Sequence, residues 1–106
     1  MGKLINIDSN NFEKLVENGK GNAVVQFSAT WCGPCRQLTP IVEKMAEDHD
    51  DVQFFKVDID ESPNLTAKFG IVSVPTLISF KDGEKADTMV GAGNATTIEQ
   101  NLASVF

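Results

Sequence analysis

The chain has 106 residues, which is enough for one domain and too few for two domains of ordinary size. It carries 15 acidic and 9 basic residues, and the resulting net charge of −6 makes nucleic acids and anionic membrane surfaces poor partners. Hydrophobic residues make up 42% of the chain, so its core needs no disulfide staples and its 2 cysteines are available for chemistry.

The beginning of the chain indicates where the protein works. Asp8 appears before any long apolar run develops, which is unlike a secretory signal, and no later stretch approaches the length of a membrane span. We therefore expect a cytoplasmic protein that makes no membrane contact and folds as a single domain over residues 1–106, although the N-terminus of a processed chain would look similar.

Strand and helix patterns alternate through the first half of the chain. Leu4–Ile7 predicts a first strand, and the apolar residues that follow at helical spacing predict a helix over roughly residues 10–18, capped by Asn10. Residues 23–27 form a nearly continuous apolar run, which is typical of a central strand covered on both faces. The longest helix follows the two cysteines and ends near an acidic cluster around residue 50.

In the second half, a strand and a short helix lead into a hairpin. Val52–Asp58 is rich in residues that favour strands, and Ser62, which a proline follows, predicts the N-cap of a short helix. The dipeptide Asp82-Gly83 then lies between the strand patterns at residues 76–80 and 85–90. Asp-Gly in that position predicts an antiparallel hairpin.

The final helix completes an order that defines the fold class. Thr96 and Glu99 predict a capping box at its start. Alternating strands and helices followed by a hairpin predict an α/β fold, with a central mixed sheet of about five strands and helices on both faces. Chemistry in such sheets lies at the carboxyl ends of the parallel strands, which is where Cys32 falls.

Both cysteines lie within the five residues Trp31–Cys35, between the central strand and the longest helix. Thiols three residues apart on a first helical turn need only a small local tightening to switch between dithiol and disulfide. Pro34 suits this turn because the N–H that it lacks would be unpaired there, and Gly33 permits a tight entry. The spacing therefore predicts a redox-active pair.

The two thiols have different predicted roles. Cys32 comes first, at the helix tip, where unpaired N–H groups and the helix dipole stabilise a thiolate, so it should be the nucleophile. Cys35 lies one turn further in and should keep its proton until it is needed, so it should be the resolving thiol. Cys32 would attack a target disulfide, and Cys35 would then displace the reduced target and leave an internal disulfide.

A metal site is the alternative interpretation of the two cysteines. A structural zinc ion needs four ligands, and beyond Cys32 and Cys35 only His49 is a further soft or borderline ligand. We favour redox chemistry because a single Cys-x-x-Cys between a strand and a helix is typical of it. We expect no metal, and we interpret His49 as a surface residue.

Four segments of the sequence carry a family resemblance. The segment Phe27–Cys35 reads Phe-Ser-Ala-Thr-Trp-Cys-Gly-Pro-Cys, and it is followed by Val74–Thr76, Phe80–Gly83 and Val90–Ala92. Together they resemble the thioredoxin family over essentially the whole chain. The resemblance implies a thioredoxin-like three-layer sandwich and a general protein disulfide reductase that binds no cofactor.

The resemblance also implies partners and a docking surface. A thioredoxin reductase, a flavoprotein that uses NADPH, would recycle the protein, which would act as a monomer on disulfide-containing proteins. Pro75 would be the family's cis-proline facing the cysteines, and the backbone of Val74 could pair with an extended substrate segment. Trp31, Gly91 and Ala92 would flank the sulfurs as a flat, weakly polar surface. The alternative function is a redox-gated binding module that holds a partner on this surface.

Gln26 departs from the family pattern. Thioredoxins usually carry a buried aspartate at this place, generally assigned to proton transfer with the resolving cysteine, and glutamine cannot titrate. We favour a hydrogen-bonded core role for Gln26, with water or the departing thiolate taking the proton. Alternatively Lys56 takes part, because it breaks the apolar alternation of its strand and matches a lysine that the family places near that carboxylate.

We therefore expect an active protein that releases its mixed disulfide more slowly than relatives with the carboxylate. The substitution Gln26→Asp should accelerate this second step, by no more than the roughly 10²- to 10⁴-fold that a proton shuttle contributes, because aspartate can accept the proton of Cys35. Rapid-quench timing of mixed-disulfide decay measures the step. An unchanged or slower rate in Gln26→Asp would contradict the expectation.

Overall fold

The secondary structure alternates strands and helices and ends in a hairpin and a helix. The computed structural model describes residues 2–91 and 93–106, and in these ranges the chain forms five strands, three α-helices and one π-helical segment. The strands are β1 (Leu4–Ile7), β2 (Asn22–Ser28), β3 (Val52–Asp58), β4 (Thr76–Lys81) and β5 (Glu84–Val90). The helices are α1 (Gly33–Asp48), α2 (Pro63–Lys68) and α3 (Ala95–Val105), and the π-helical segment is Glu13–Glu17. No helix in these ranges combines the length and apolar character needed to cross a bilayer.

The five strands form one mixed sheet in the order β1-β3-β2-β4-β5. β1, β3 and β2 run parallel, whereas β4 is antiparallel to both β2 and β5. The turn between β4 and β5 has φ 51° at Asp82 and φ 86° at Gly83, the left-handed geometry that suits a two-residue hairpin. The predicted mixed sheet, central β2 and terminal hairpin are all confirmed.

Helices cover both faces of the sheet, as predicted. Because strand side chains alternate, β2 sends Val24 to one face and Val25 to the other. The first face packs against α1 and α3 through a buried cluster that includes Leu38, Val42, Met45, Ile98 and Leu102. The second packs against α2 and the π-helical segment through a cluster that includes Phe12, Val16, Phe55, Leu65 and Phe80. The sheet is therefore the middle of three layers.

The helix predicted over residues 10–18 is wrong in its bounds and its cap. Asp8 and Asn11 hold the chain in a turn, because the Asp8 N–H donates to Asn11 Oδ1 at 2.8 Å and the Asn10 N–H donates to Asp8 Oδ1 at 2.8 Å. Asn10 therefore caps nothing, and helical conformation begins at Phe12 and continues through the π-helical segment Glu13–Glu17. The N–H of Asn18 donates to the Glu13 carbonyl at 2.8 Å, the wide spacing of a π-helix.

Two further helix caps differ in detail from the sequence-based expectation. Ser62 is the N-cap of α2, as predicted, but its side chain makes no capping hydrogen bond. The N-cap of α3 is Asn94, whose Oδ1 accepts from the Thr97 N–H at 2.9 Å, so the capping box expected at Thr96 is wrong.

His49 is more than the surface residue that its sequence position suggested. It is half-buried at the C-cap of α1, and its Nε2 lies 2.7 Å from Glu99 Oε1 on α3. The contact joins the C-terminal end of α1 to the middle of α3, and the two helices share one face of the sheet. The acidic surroundings of His49 in sequence gave no sign of it, since Glu99 is distant along the chain.

The two candidate caps of α3 can be separated by substitution. Asn94→Ala should lower the free energy of unfolding by about 1 kcal/mol, because it removes the acceptor of the Thr97 N–H. Thr96→Ala, two residues further along the exposed start of the helix, is the matched control and should change it by less than about 0.5 kcal/mol. Urea unfolding measures both. A larger loss in Thr96→Ala than in Asn94→Ala would contradict this cap assignment.

Candidate active site

The two cysteines form a disulfide at the N-terminus of α1. β2 ends at Ser28, and Cys32 is the N-cap residue of the helix that follows, with its Cα 5.2 Å from that of Cys35. The Cys35 N–H donates to the Sγ of Cys32 at 3.2 Å. An N–H at a helix start would be unpaired without such a partner, so the Sγ of Cys32 acts as the cap of its own helix.

The disulfide belongs to a small cluster of buried apolar residues. Cys32 is 5% exposed and Cys35 1% exposed, and both pack with Ala29, Ile59 and Val74. Pro34 lies in the first turn, where it leaves no hydrogen bond unmade. Gly33 has no positive φ, and an added Cβ would approach nothing closer than 4.0 Å, so the structure gives no steric reason for glycine there.

Trp31 lies on the solvent side of the disulfide, with 64% of its surface exposed. Its indole N–H donates to Asp60 Oδ2 at 2.9 Å, which fixes the ring against the loop after β3. A cavity of about 300 Å³ opens beside the ring, lined mainly by apolar residues: Trp31, Ile59, Ile71, Val72, Ser73 and Val74. Val72 is 97% exposed, so the rim of this cavity is apolar and open.

A second cavity, of about 280 Å³, opens on the other side of Val74 and includes Pro34, Pro75, Gly91 and Gly93 in its lining. The Val74–Pro75 peptide bond is cis, as the family resemblance implied. The Val74 carbonyl oxygen lies 3.7 Å from the Sγ of Cys32. Val74 thus lines both cavities and is in contact with the Cys32 sulfur. Gly91 is exposed at this rim, and Ala92, also expected there, lies outside the described residues.

Gln26 lies in β2, the strand that leads to the disulfide, and is completely buried. Its Nε2 donates to Thr39 Oγ1 at 3.1 Å, and the Thr39 hydroxyl donates to the Cys35 carbonyl at 2.9 Å. The other amide atom, Oε1, meets no hydrogen-bond donor among residues 2–91 and 93–106. The expected core hydrogen bonding of Gln26 is thus present at one amide atom and missing at the other.

Comparison with known proteins places this geometry in a family. The family model described as Thioredoxin matches residues 3–104. The protein named Thioredoxin in Staphylococcus haemolyticus strain JCSC1435 is 43% identical over 104 residues, which cover 97% of this chain and 94% of that protein. The chain belongs to the thioredoxin family. It is a thiol–disulfide oxidoreductase, and the joined Cys32 and Cys35 fit that activity.

Two further relatives show a comparable similarity. The protein named Thioredoxin 1 in Synechococcus elongatus is 46% identical over 92 residues, and the protein named Thioredoxin in Porphyra purpurea is 40% identical over 92 residues. Each match covers 86% of this chain and 86% of the relative.

The described part of the chain holds no cluster of three or more histidines, cysteines and carboxylates that could bind a metal ion.

Lys56 is the neighbour of Gln26 in the register of β2 and β3. It is half-buried and lines a cavity of about 520 Å³ together with Arg36, Thr39, Asp58 and Glu61, among others. Thr39 also lines this cavity and accepts from the buried amide of Gln26. Thr39 is a residue of this site that was not predicted from the sequence. Its spacing of four residues from Cys35 was the available signal, because such residues share one helix face.

Proposed function

We propose that the chain reduces disulfide bonds in protein substrates, with Cys32 as the nucleophile and Cys35 as the resolving thiol. The observation that supports this most is the position of the Cys32 Sγ. It faces the Cys35 N–H at the N-terminus of α1 and lies beside the carbonyl of Val74, a residue that lines two open cavities. The N–H and the positive end of the helix dipole would stabilise a thiolate there.

The reaction follows from this asymmetry. In the dithiol form, the Cys32 thiolate attacks one sulfur of the target disulfide, and the other target sulfur leaves as a thiolate that takes up a proton. Cys35 then attacks the Cys32 sulfur of the mixed disulfide. Its proton passes to water or to the second departing target sulfur, and the Cys32–Cys35 disulfide of the present structure remains. Each cycle transfers two electrons to the target.

The surface around the Cys32 sulfur suits an extended, weakly polar segment. Trp31 and Val72 supply exposed apolar area on one side, and Pro75 and Gly91 lie on the other. The Val74 backbone lies between them and could pair with a substrate strand, so main-chain hydrogen bonds would contribute affinity with little sequence preference. Such a surface fits many disulfide-containing proteins.

The same proposal includes how the protein is recycled and where it acts. A flavoprotein reductase of the thioredoxin reductase type would return the disulfide to the dithiol with electrons from NADPH, so this chain itself would need no bound cofactor. The protein would work as a monomer in the cytoplasm. Nucleic acids and membranes would not be partners, in keeping with the net charge of −6.

An assay of catalytic turnover separates this function from a redox-gated binding module, which the exposed Trp31 and Val72 would also suit. A soluble disulfide-bonded protein is reduced with dithiothreitol in the presence of catalytic amounts of this chain. An enzyme should accelerate the reduction in proportion to its concentration. Stoichiometric binding without acceleration would favour the module and contradict the proposal.

The two roles predict opposite behaviour of two serine variants. Cys35→Ser should accumulate a covalent complex with a disulfide substrate, because Cys32 attacks and nothing resolves the product. Cys32→Ser, the matched control, should accumulate none, since Cys35 is 1% exposed and lacks the position at the helix start. Non-reducing electrophoresis with mass spectrometry measures the complex. Equal trapping by both variants would contradict the assignment of roles.

A further inference from the structure

The amide of Gln26 has one orientation that satisfies its neighbour. The Thr39 hydroxyl has a single hydrogen, which it donates to the Cys35 carbonyl, so towards Gln26 it can only accept. The amide atom 3.1 Å from Thr39 Oγ1 must therefore be the nitrogen, Nε2. This arrangement leaves Oε1 as the atom that points away from Thr39. Thr39 thus determines which way the amide faces.

In the disulfide form, Oε1 is a buried acceptor that has no donor among the described residues. Gln26 is 0% exposed, and buried polar atoms without a partner are rare because they lose the hydrogen bonds that water would give them. An acceptor that is unpaired in one state of a two-state protein points to a donor that the other state supplies. The chemical difference between the two states here is the protonation of two sulfurs.

Gln26 lies on the face of β2 that packs against α1, and Thr39 links its amide to the backbone carbonyl of Cys35. Val24, on the same face of β2, belongs to the cluster that contains Leu38 of α1, whereas Ala29 packs with both cysteines. Gln26 lies between these two points and bonds to Thr39, one helical turn after Cys35. The side chain of Gln26 therefore reaches α1 between the cysteine pair and the core cluster that contains Leu38.

We propose that in the dithiol form the Cys35 Sγ–H donates a hydrogen bond to Gln26 Oε1, and that Thr39 is a positioning residue that holds the amide in the required orientation. Reduction creates this donor in a site where Cys35 is 1% exposed, so water competes poorly for it. The inference rests on the proposed function, in which Cys35 is the thiol that keeps its proton. This hydrogen bond gives Gln26 a role in which its side chain neither gains nor loses a proton.

This hydrogen bond stabilises the dithiol and is lost when the disulfide forms. When Cys35 attacks the mixed disulfide, the Cys35–Cys32 sulfur bond forms and the bond between Cys32 and the target sulfur breaks. The electron pair leaves with the target sulfur, and the Cys35 proton follows it, since an amide oxygen does not take a proton at neutral pH. The hydrogen bond to Gln26 therefore stabilises the dithiol form relative to the disulfide. Oxidation of the dithiol becomes less favourable, so the protein is a weaker reductant.

The test measures the equilibrium constant for thiol–disulfide exchange between the chain and a glutathione buffer. Mass spectrometry after acid quenching quantifies the dithiol and disulfide forms of the chain. Gln26→Leu should shift the equilibrium about threefold to tenfold towards the disulfide, the size of one net hydrogen bond. A tenfold shift corresponds to a reduction potential about 30 mV lower. Gln53→Leu makes the same chemical change at an exposed position of β3 and should leave the equilibrium unchanged.

Variants of Thr39 separate positioning from a purely structural role. Thr39→Val removes the acceptor that orients the amide and should shift the equilibrium in the same direction as Gln26→Leu, by a smaller factor. Thr39→Ser keeps the hydroxyl and should stay within about twofold of the native protein. A residue that only stabilises the fold would affect both redox forms alike and leave the equilibrium constant unchanged. An unchanged equilibrium in Gln26→Leu, or a shift towards the dithiol, would overturn the proposal.

A second measurement observes the donor directly and does not need Gln26→Leu to fold. Cys32→Ser leaves Cys35 as the single thiol, so its infrared S–H stretching band reports one hydrogen bond. The band should lie at lower frequency in Cys32→Ser than in the same protein with Thr39→Val added. Equal frequencies would contradict the bond. If the bond is found but Cys32→Ser rather than Cys35→Ser traps substrate, the proposed roles fail while this hydrogen bond stands.

Discussion

The contact between the Cys35 N–H and the Cys32 Sγ connects the fold to the chemistry. It exists because β2 delivers Cys32 to the first unpaired turn of α1, and α1 is held on the sheet by the buried cluster that it shares with α3. A helix start stabilises negative charge, so the same atom that caps the helix would be the better nucleophile. Local helix stability and the reactivity of Cys32 would therefore depend on one geometry.

Behind the disulfide, polar groups link the sheet to the helix where a carboxylate is usual in the family. Gln26 is completely buried and donates to Thr39, which lines the same cavity as Lys56. An amide cannot gain or lose a proton as a carboxylate does, so glutamine and aspartate would have different roles at this position. Aspartate would move the proton of Cys35, whereas glutamine would hold it. Replacing aspartate with glutamine at this position would alter the equilibrium between the dithiol and disulfide forms without altering the fold.

Much of the fold could be predicted because its signals are local. The strand predicted over Val52–Asp58 has the same first and last residues as β3, because apolar and β-branched residues in this segment favour a strand. Asp82-Gly83 forms the expected hairpin turn. The helix over residues 10–18 failed because side chains of the preceding turn bond to the backbone and delay its start. Thr39 was missed because its importance depends on which residue of β2 it meets, and a contact between distant segments leaves no local pattern.

The central claim is that the structure makes the two thiols unequal, with Cys32 reactive and Cys35 protected. Competitive alkylation of the fully reduced protein at neutral pH, followed by peptide mapping, tests it most directly. Cys32 should be modified faster than Cys35 by on the order of tenfold or more, because thiolate character and access both favour it. Equal modification of the two cysteines, or faster modification of Cys35, would contradict the account.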